Sequence, residues 1–141
     1  MSKLTIGYST LAERVGNIKL PAGKFEILIL VQNPNGIKYD TGKLAKRARI
    51  IEVAGTGVTK SRNRAIELTN TDYLIFGDDD VDFDPDGLER AIEKLERDPQ
   101  LTLLLLAAND PSGSPRKQYP TGPKPLSRLN SARAATYEMM I

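Results

Sequence analysis

The chain of 141 residues contains no cysteine and no histidine. The first absence removes disulfides, thiolate metal sites and thiol nucleophiles. The second removes imidazole as a general base or metal ligand near neutral pH. Acid–base chemistry therefore falls to carboxylates, lysine, tyrosine or bound water. Long apolar runs are missing too, the longest falling well short of the roughly 20 residues of a membrane span. The N-terminal stretch Met1 to Tyr8 has neither the apolar core nor the cleavage pattern of a secretory signal. A cytoplasmic protein with no transmembrane segment is expected.

What the chain does have is a dense acidic cluster. Six of its eighteen acidic residues, Asp78, Asp79, Asp80, Asp82, Asp84 and Asp86, lie within nine positions, directly after the apolar run Tyr73-Leu74-Ile75-Phe76. Like charges about 4 Å apart repel by roughly 1 kcal/mol even in bulk water, so such a strand end calls for a cation. Oxygen ligands suit hard or borderline ions such as Mg, Mn and Ca, which in turn hold phosphate. Taking these six charges out of the formal +2 leaves +8 on the remainder, a negative pole in a mildly basic body. Most of the lysines and arginines belong to solvated surface. Bulk charge does not point to a nucleic-acid partner, and a homo-oligomer is compatible with the sequence.

The length fits one domain with a real core. Short apolar runs alternate with helical periods. Leu4 to Tyr8 reads as a strand, after which Leu11, Val15 and Ile18 recur at helical spacing. Phe25 to Val31 is a second strand ending in the turn-rich Asn33-Pro34-Asn35-Gly36, and a short helix fits Lys43 to Ala48. Ile50 to Ala54 is a third strand, followed by a helix through Leu68 with Thr59 or Ser61 as cap. Tyr73 to Phe76 is the fourth. Asp84 as N-cap, Pro85 at the first helical position, and Leu88, Ala91, Ile92 and Leu95 on one face predict a helix to about Arg97. Leu101 to Ala108 reads as a fifth strand buried on both faces. Five of the nine prolines fall between Pro111 and Pro125, so 111–125 is a loop, either a lid or binding loop or an unstructured linker. The tail from Leu126 to Ile141 fits helix or strand.

This alternation predicts a doubly wound, mostly parallel sheet with helices on both faces, in which ligands bind beyond the carboxyl ends of the strands. Three segments in order then carry a resemblance. They are Gly57-Val58-Thr59-Lys60-Ser61-Arg62-Asn63-Arg64-Ala65-Ile66-Glu67, Asp72-Tyr73-Leu74-Ile75-Phe76-Gly77-Asp78-Asp79-Asp80, and Asp84-Pro85-Asp86-Gly87-Leu88. Together they resemble the family 2 glycosyltransferases of GT-A, Rossmann-like fold. The likeness is good over residues 3–110 and weak over the tail with Asn130, Ala132, Thr136 and Glu138.

The resemblance implies a nucleotide-sugar donor domain over 1–110, the 111–125 loop, and a tail, 126–141, of the same single domain. It implies a nucleotide-diphospho-sugar donor, most often UDP-linked, held with Mn or Mg by a D-x-D motif and passed to an acceptor that the sequence does not specify. Here that motif falls on Asp78-x-Asp80, with Asp80 on the metal and Asp78 as second ligand, while Asp78 or Asp79 takes ribose or sugar hydroxyls. By the same resemblance Ser9, Thr10, Glu13 and Asn33 hold base and ribose, although such groups equally suit capping and turns; Lys60 either reaches phosphate or is solvated surface. Arg62, expected in the first turn of its helix where the macrodipole disfavours a cation, calls for an anionic or aromatic partner, either the nucleotide or, structurally, a nearby carboxylate. At the second strand tip, Gln32-Asn33 stand where the family commonly has a base-reading Asp. The downstream segment that supplies the family's general base is short or missing, leaving Asp110 and Glu138 as the acidic residues after Asp98. A non-catalytic nucleotide-sugar-binding or assembly module is thus the alternative.

One competing pattern runs through the cluster. Asp82-x-Asp84-x-Asp86-Gly87 with Glu93 matches a calcium loop. Such a loop follows a helix, whereas here a strand-like run precedes it and Pro85 starts a helix inside it.

Overall fold

A computed structural model describes residues 1–128, 131, 135 and 138–141. Its elements are strands β1 (Leu4–Leu11), β2 (Glu26–Gln32), β3 (Arg49–Val53), β4 (Tyr73–Asp78), β5 (Leu104–Leu105) and β6 (Met139–Met140), with helices α1 (Val58–Leu68) and α2 (Pro85–Arg97). They form one sheet in the order β3-β2-β1-β4-β6-β5. The first four strands are parallel. β6 runs antiparallel to both β4 and β5. The expected mostly parallel sheet is present, with one reversed strand between β4 and β5.

The period of two along each strand sorts the core into two layers. Leu4, Ile6 and Tyr8 of β1, Ile27, Ile29 and Val31 of β2, and Ile75 of β4 pack with Leu88, Ala91, Ile92 and Leu95 of α2. Leu28, Leu30, Leu74 and Phe76 meet Ala65 of α1 on the other face. That face is tight. A Cβ on Gly7 would sit 3.1 Å from the Cβ of Ala65, so α1 lies directly on β1. α2 forms as its sequence predicts: Asp84 accepts hydrogen bonds from the backbone N–H groups of Asp86 (3.3 Å) and Gly87 (3.0 Å), and Pro85 begins the helix. Each fully buried leucine or isoleucine on its inner face contributes about 1.5–3 kcal/mol.

Several expectations are corrected. α1 starts at Val58, with Gly57 preceding it and no side-chain cap from Thr59 or Ser61. Gly57, at φ +122°, makes a turn that a residue with a side chain rarely adopts, and its N–H bonds Gln32 Oε1 at 2.7 Å, so the chain enters the helix before either hydroxyl residue. Ser61 lies buried within the helix and accepts a hydrogen bond from Gln32 Nε2 at 3.2 Å. After β1 the chain makes a 3-10 turn over Ala12–Asn17 in place of a longer helix: Leu11 stays exposed while Val15 and Ile18 are buried. The helix expected at Lys43 to Ala48 contracts to a 3-10 turn at Leu44–Lys46. The strand expected over Leu101 to Ala108 contracts to Leu104–Leu105 and is half-buried. It lies at the sheet edge, where its described ladder is with the two residues of β6, extended by a 2.8 Å bond from the Leu106 N–H to the Glu138 carbonyl. Among the described residues no helix is long and apolar enough to cross a membrane.

Gly77 marks the tightest point beneath the carboxyl edge. Tyr8 and Phe83 pack edge to face with ring centres 5.9 Å apart, and a Cβ on Gly77 would lie 2.9 Å from both rings. Gly77→Ala should therefore lower stability by about 1–3 kcal/mol in urea unfolding. Gly16→Ala, with nothing within 4 Å of the added carbon, should stay within about 0.5 kcal/mol of the parent. Equal midpoints for the two variants would contradict this packing.

Candidate functional site

The polar residues sit where parallel strands end. β1 and β4 are neighbours, and their register places Ser9 opposite Asp78. The three consecutive carboxylates that follow take three different environments. Asp79 turns inward: it is 7% exposed, its Oδ2 accepts a hydrogen bond from Thr10 Oγ1 at 2.8 Å, and its Oδ1 pairs with Arg14. Asp78 is partly exposed and accepts from Arg62 Nη2 at 3.2 Å. Asp80 is 72% exposed and lies 4.0 Å from the same Arg14 nitrogen. Two guanidinium groups thus offset three carboxylates within the protein itself.

The other expected site residues divide into two groups. Ser9 and Thr10 are buried at the end of β1, and Arg62 joins the cluster through Asp78. Because α1 begins at Val58, Arg62 is its fifth residue, past the first turn, so the expected conflict with the macrodipole does not arise. Its guanidinium also lies over the ring of Phe76, 5.7 Å from the centroid. Glu13 is exposed on the 3-10 turn that carries Arg14. Asn33 and Lys60 lie apart from the cluster. Asn33 braces its own turn, exchanging 2.9 Å hydrogen bonds with the backbone N–H and C=O of Ile37 and reaching Glu52 at 3.4 Å. Lys60 lines an open groove of about 410 Å³ with Glu52, Arg64 and Glu67, along the β3 edge. With Gln32 bonded to Gly57 and Ser61, the amides of both residues at the second strand tip are engaged inside the protein.

Downstream, the tail enters the sheet beside the cluster. Ile75 opposite Met140 brings Glu138 level with Gly77. Glu138 is 2% exposed and accepts hydrogen bonds from Lys117 Nζ at 2.5 Å, Tyr119 Oη at 2.7 Å and the N–H of Ala135 at 3.2 Å. Burial pushes its carboxyl pKa up, but these donors and the lysine charge outweigh burial and hold it below the usual value. Asp110 is likewise held low, first by the Ser112 hydroxyl and then by the Ser114 and Ser112 amides. Asn130, Ala132 and Thr136 lie outside the described residues.

The sequence reading missed Arg14 and the anchoring of Glu138. A cation four positions after Thr10, just past a strand tip expected to lie at the ligand edge, was the available signal for Arg14. The calcium-loop pattern is not assembled: Asp82 pairs with Lys19 at 3.0 Å, Asp84 caps α2, and Glu93 pairs with Arg97 on the helix surface. Among the described residues no three acidic side chains converge on a metal position. Asp80 and Asp78 nevertheless fit the hard-oxygen chemistry of Mg or Mn, ions commonly bound through one or two carboxylates with phosphate and water completing the shell.

A mostly parallel sheet with helices on both faces and a polar carboxyl edge defines a Rossmann-like α/β domain of GT-A type. The family model described as glycosyl transferase family 2 matches residues 9–137, and the chain belongs to that family. Its members are glycosyltransferases that use a nucleotide-sugar donor and an acceptor. No curated protein matches the chain.

The anchoring of Glu138 yields a pH-dependent prediction. Its folded pKa lies below 4.5, so the stability it confers is complete above that value and is lost as pH falls through the folded pKa. Glu138→Ala should cost about 2–3 kcal/mol at neutral pH in urea unfolding, since it strips a buried carboxylate from a lysine and a tyrosine. The gap to the parent should narrow in acid. A gap that widens in acid would contradict the assignment.

Proposed function

We propose that this chain binds a nucleotide-diphospho-sugar, UDP-linked, at the carboxyl edge of β1 and β4, and transfers the sugar to an acceptor. The observation that carries the reading is the division of the Asp78-Asp79-Asp80 run. Asp78 and Asp80 face outward and Asp79 turns inward, so the D-x-D pair is presented to solvent. Asp80, with Asp78 as second ligand, would hold Mn or Mg. When bound, that cation would offset the diphosphate charge and stabilise the departing nucleotide. Arg62 keeps Asp78 oriented and brings positive charge to the same edge. Ser9, opposite Asp78, and Glu13, on the turn that carries Arg14, would serve ribose and base. Lys60 and Asn33, on the β3 side, would meet only a donor that extends across the sheet.

A second reading is supported by the two downstream carboxylates. Glu138 is buried in hydrogen bonds, and Asp110 is held by Ser112 and Ser114. A general base works best with a pKa near the working pH, whereas both of these are pushed lower. This favours a module that binds donor without activating an acceptor.

One set of experiments separates the readings. With Mn and a panel of nucleotide sugars, nucleotide release that rises with acceptor marks a transferase, and binding without release marks the module. Asp80→Asn and Asp78→Asn should each weaken Mn-dependent UDP binding about tenfold or more. Asp86→Asn, at the start of α2, should stay within about twofold. Unchanged binding in the first two variants would overturn the metal-bridged donor site.

A further inference from the structure

We infer that Arg14 is a phosphate-binding cation of the donor site: anchored on Asp79, it donates to a diphosphate oxygen and competes with the divalent metal for Asp80. The inference rests on the donor-site reading above. β1 ends at Leu11, and the 3-10 turn over Ala12–Asn17 carries the chain back across the strand tip. Arg14 therefore returns to the carboxylate that Thr10 already holds. Asp79 has both oxygens engaged, one by Thr10 and one by Arg14, and is 7% exposed. Its role is that of an anchor, held at both oxygens from within the protein.

Arg14 itself is not enclosed. Its side chain is 49% exposed, and the nitrogen that pairs with Asp79 lies 4.0 Å from the exposed Asp80 oxygen. The guanidinium is thus fixed at one end and open at the other, beside the carboxylate most accessible to a metal. A planar fork of five N–H donors matches phosphate oxygens in pairs, which a lysine cannot do. Charge favours the same arrangement. Asp78, Asp79 and Asp80 with Arg14 and Arg62 carry a net −1, which one divalent ion converts to +1, the sign a diphosphate needs. Arg14 therefore acts in opposite directions on the two ligands, repelling the metal when it binds alone and attracting the diphosphate.

The test uses the full chain, with Mn²⁺ alone followed by electron paramagnetic resonance and UDP at saturating Mn²⁺ followed by calorimetry. Arg14→Gln should bind Mn²⁺ alone about three- to tenfold more tightly at low salt, because a fixed positive charge is gone. It should bind UDP about tenfold more weakly, because a charge-assisted donor is gone. Arg14→Lys should keep the parent's Mn²⁺ affinity and lose about threefold for UDP, retaining charge without the fork. If folded Arg14→Gln loses both affinities together, or changes neither, Arg14 only braces Asp79 and the inference is overturned. Should Arg14→Gln fail to fold, Arg14→Lys decides: weakened UDP binding at unchanged Mn²⁺ affinity supports the inference, and unchanged UDP binding overturns it. A parent chain that binds neither Mn²⁺ nor UDP overturns the donor-site reading, and this inference with it.

Discussion

Three consecutive carboxylates cannot share a strand end without countercharge, and the way Asp78, Asp79 and Asp80 are kept apart governs the whole carboxyl edge. Repulsion at such spacing is modest in water and grows as solvent is excluded. The chain answers with direction. Asp79 turns in to Thr10 and Arg14, Asp78 meets Arg62, and Asp80 is left to water. Each partner comes from a different element, so the electrostatic solution requires the fold. β1 must end beside β4 in register, α1 must lie close on Gly7, and Tyr8 must find room at Gly77. A site of this kind is preorganised by its scaffold, and a ligand meets charges that are already placed.

The tail contributes to the same edge from the opposite direction. β6 runs against β4 and brings Glu138 level with Gly77, where Lys117 and Tyr119 reach it from the proline-rich loop. Tyr119 also accepts the N–H of Ala108, so one phenol ties the loop to the end of the β5 segment and to the start of β6. This carboxylate is spent on holding chain together. In a protein without histidine, a carboxylate so held is withdrawn from the few groups able to act as a base.

Much of the fold was legible wherever a local rule and a burial pattern coincided. α2 could be read residue by residue, since Asp84, Pro85 and the Leu88–Ala91–Ile92–Leu95 face each state the same helix. β5 misled because an apolar run signals burial but not pairing: among the described residues its ladder is with Met139 and Met140, with one further bond from the Leu106 N–H to the Glu138 carbonyl. The start of α1 misled for a related reason: Thr59 and Ser61 look like caps, yet the chain turns into the helix at Gly57, whose N–H is held by Gln32, 25 residues earlier in the chain. At the site, clustering of Asp78 to Asp80 was visible in one dimension, whereas their division was not. Which carboxylate turns inward depends on Thr10 and Arg14, partners 69 and 65 positions away. Family membership extends the reading to donor chemistry, and it leaves the identities of sugar and acceptor to experiment.

The ligand edge proposed at Asp78 and Asp80, with Asp79 and Arg14 behind it, is distinct from the stretch Asp82 to Asp86. Paramagnetic broadening of backbone amide signals by substoichiometric Mn²⁺, recorded with and without UDP, tests this most directly. Broadening should be strongest at Asp78 to Asp80 and near Thr10 and Arg14, and should sharpen onto those residues when UDP is added. Broadening centred on Asp82 to Asp86 and Glu93, unaffected by UDP, would contradict it.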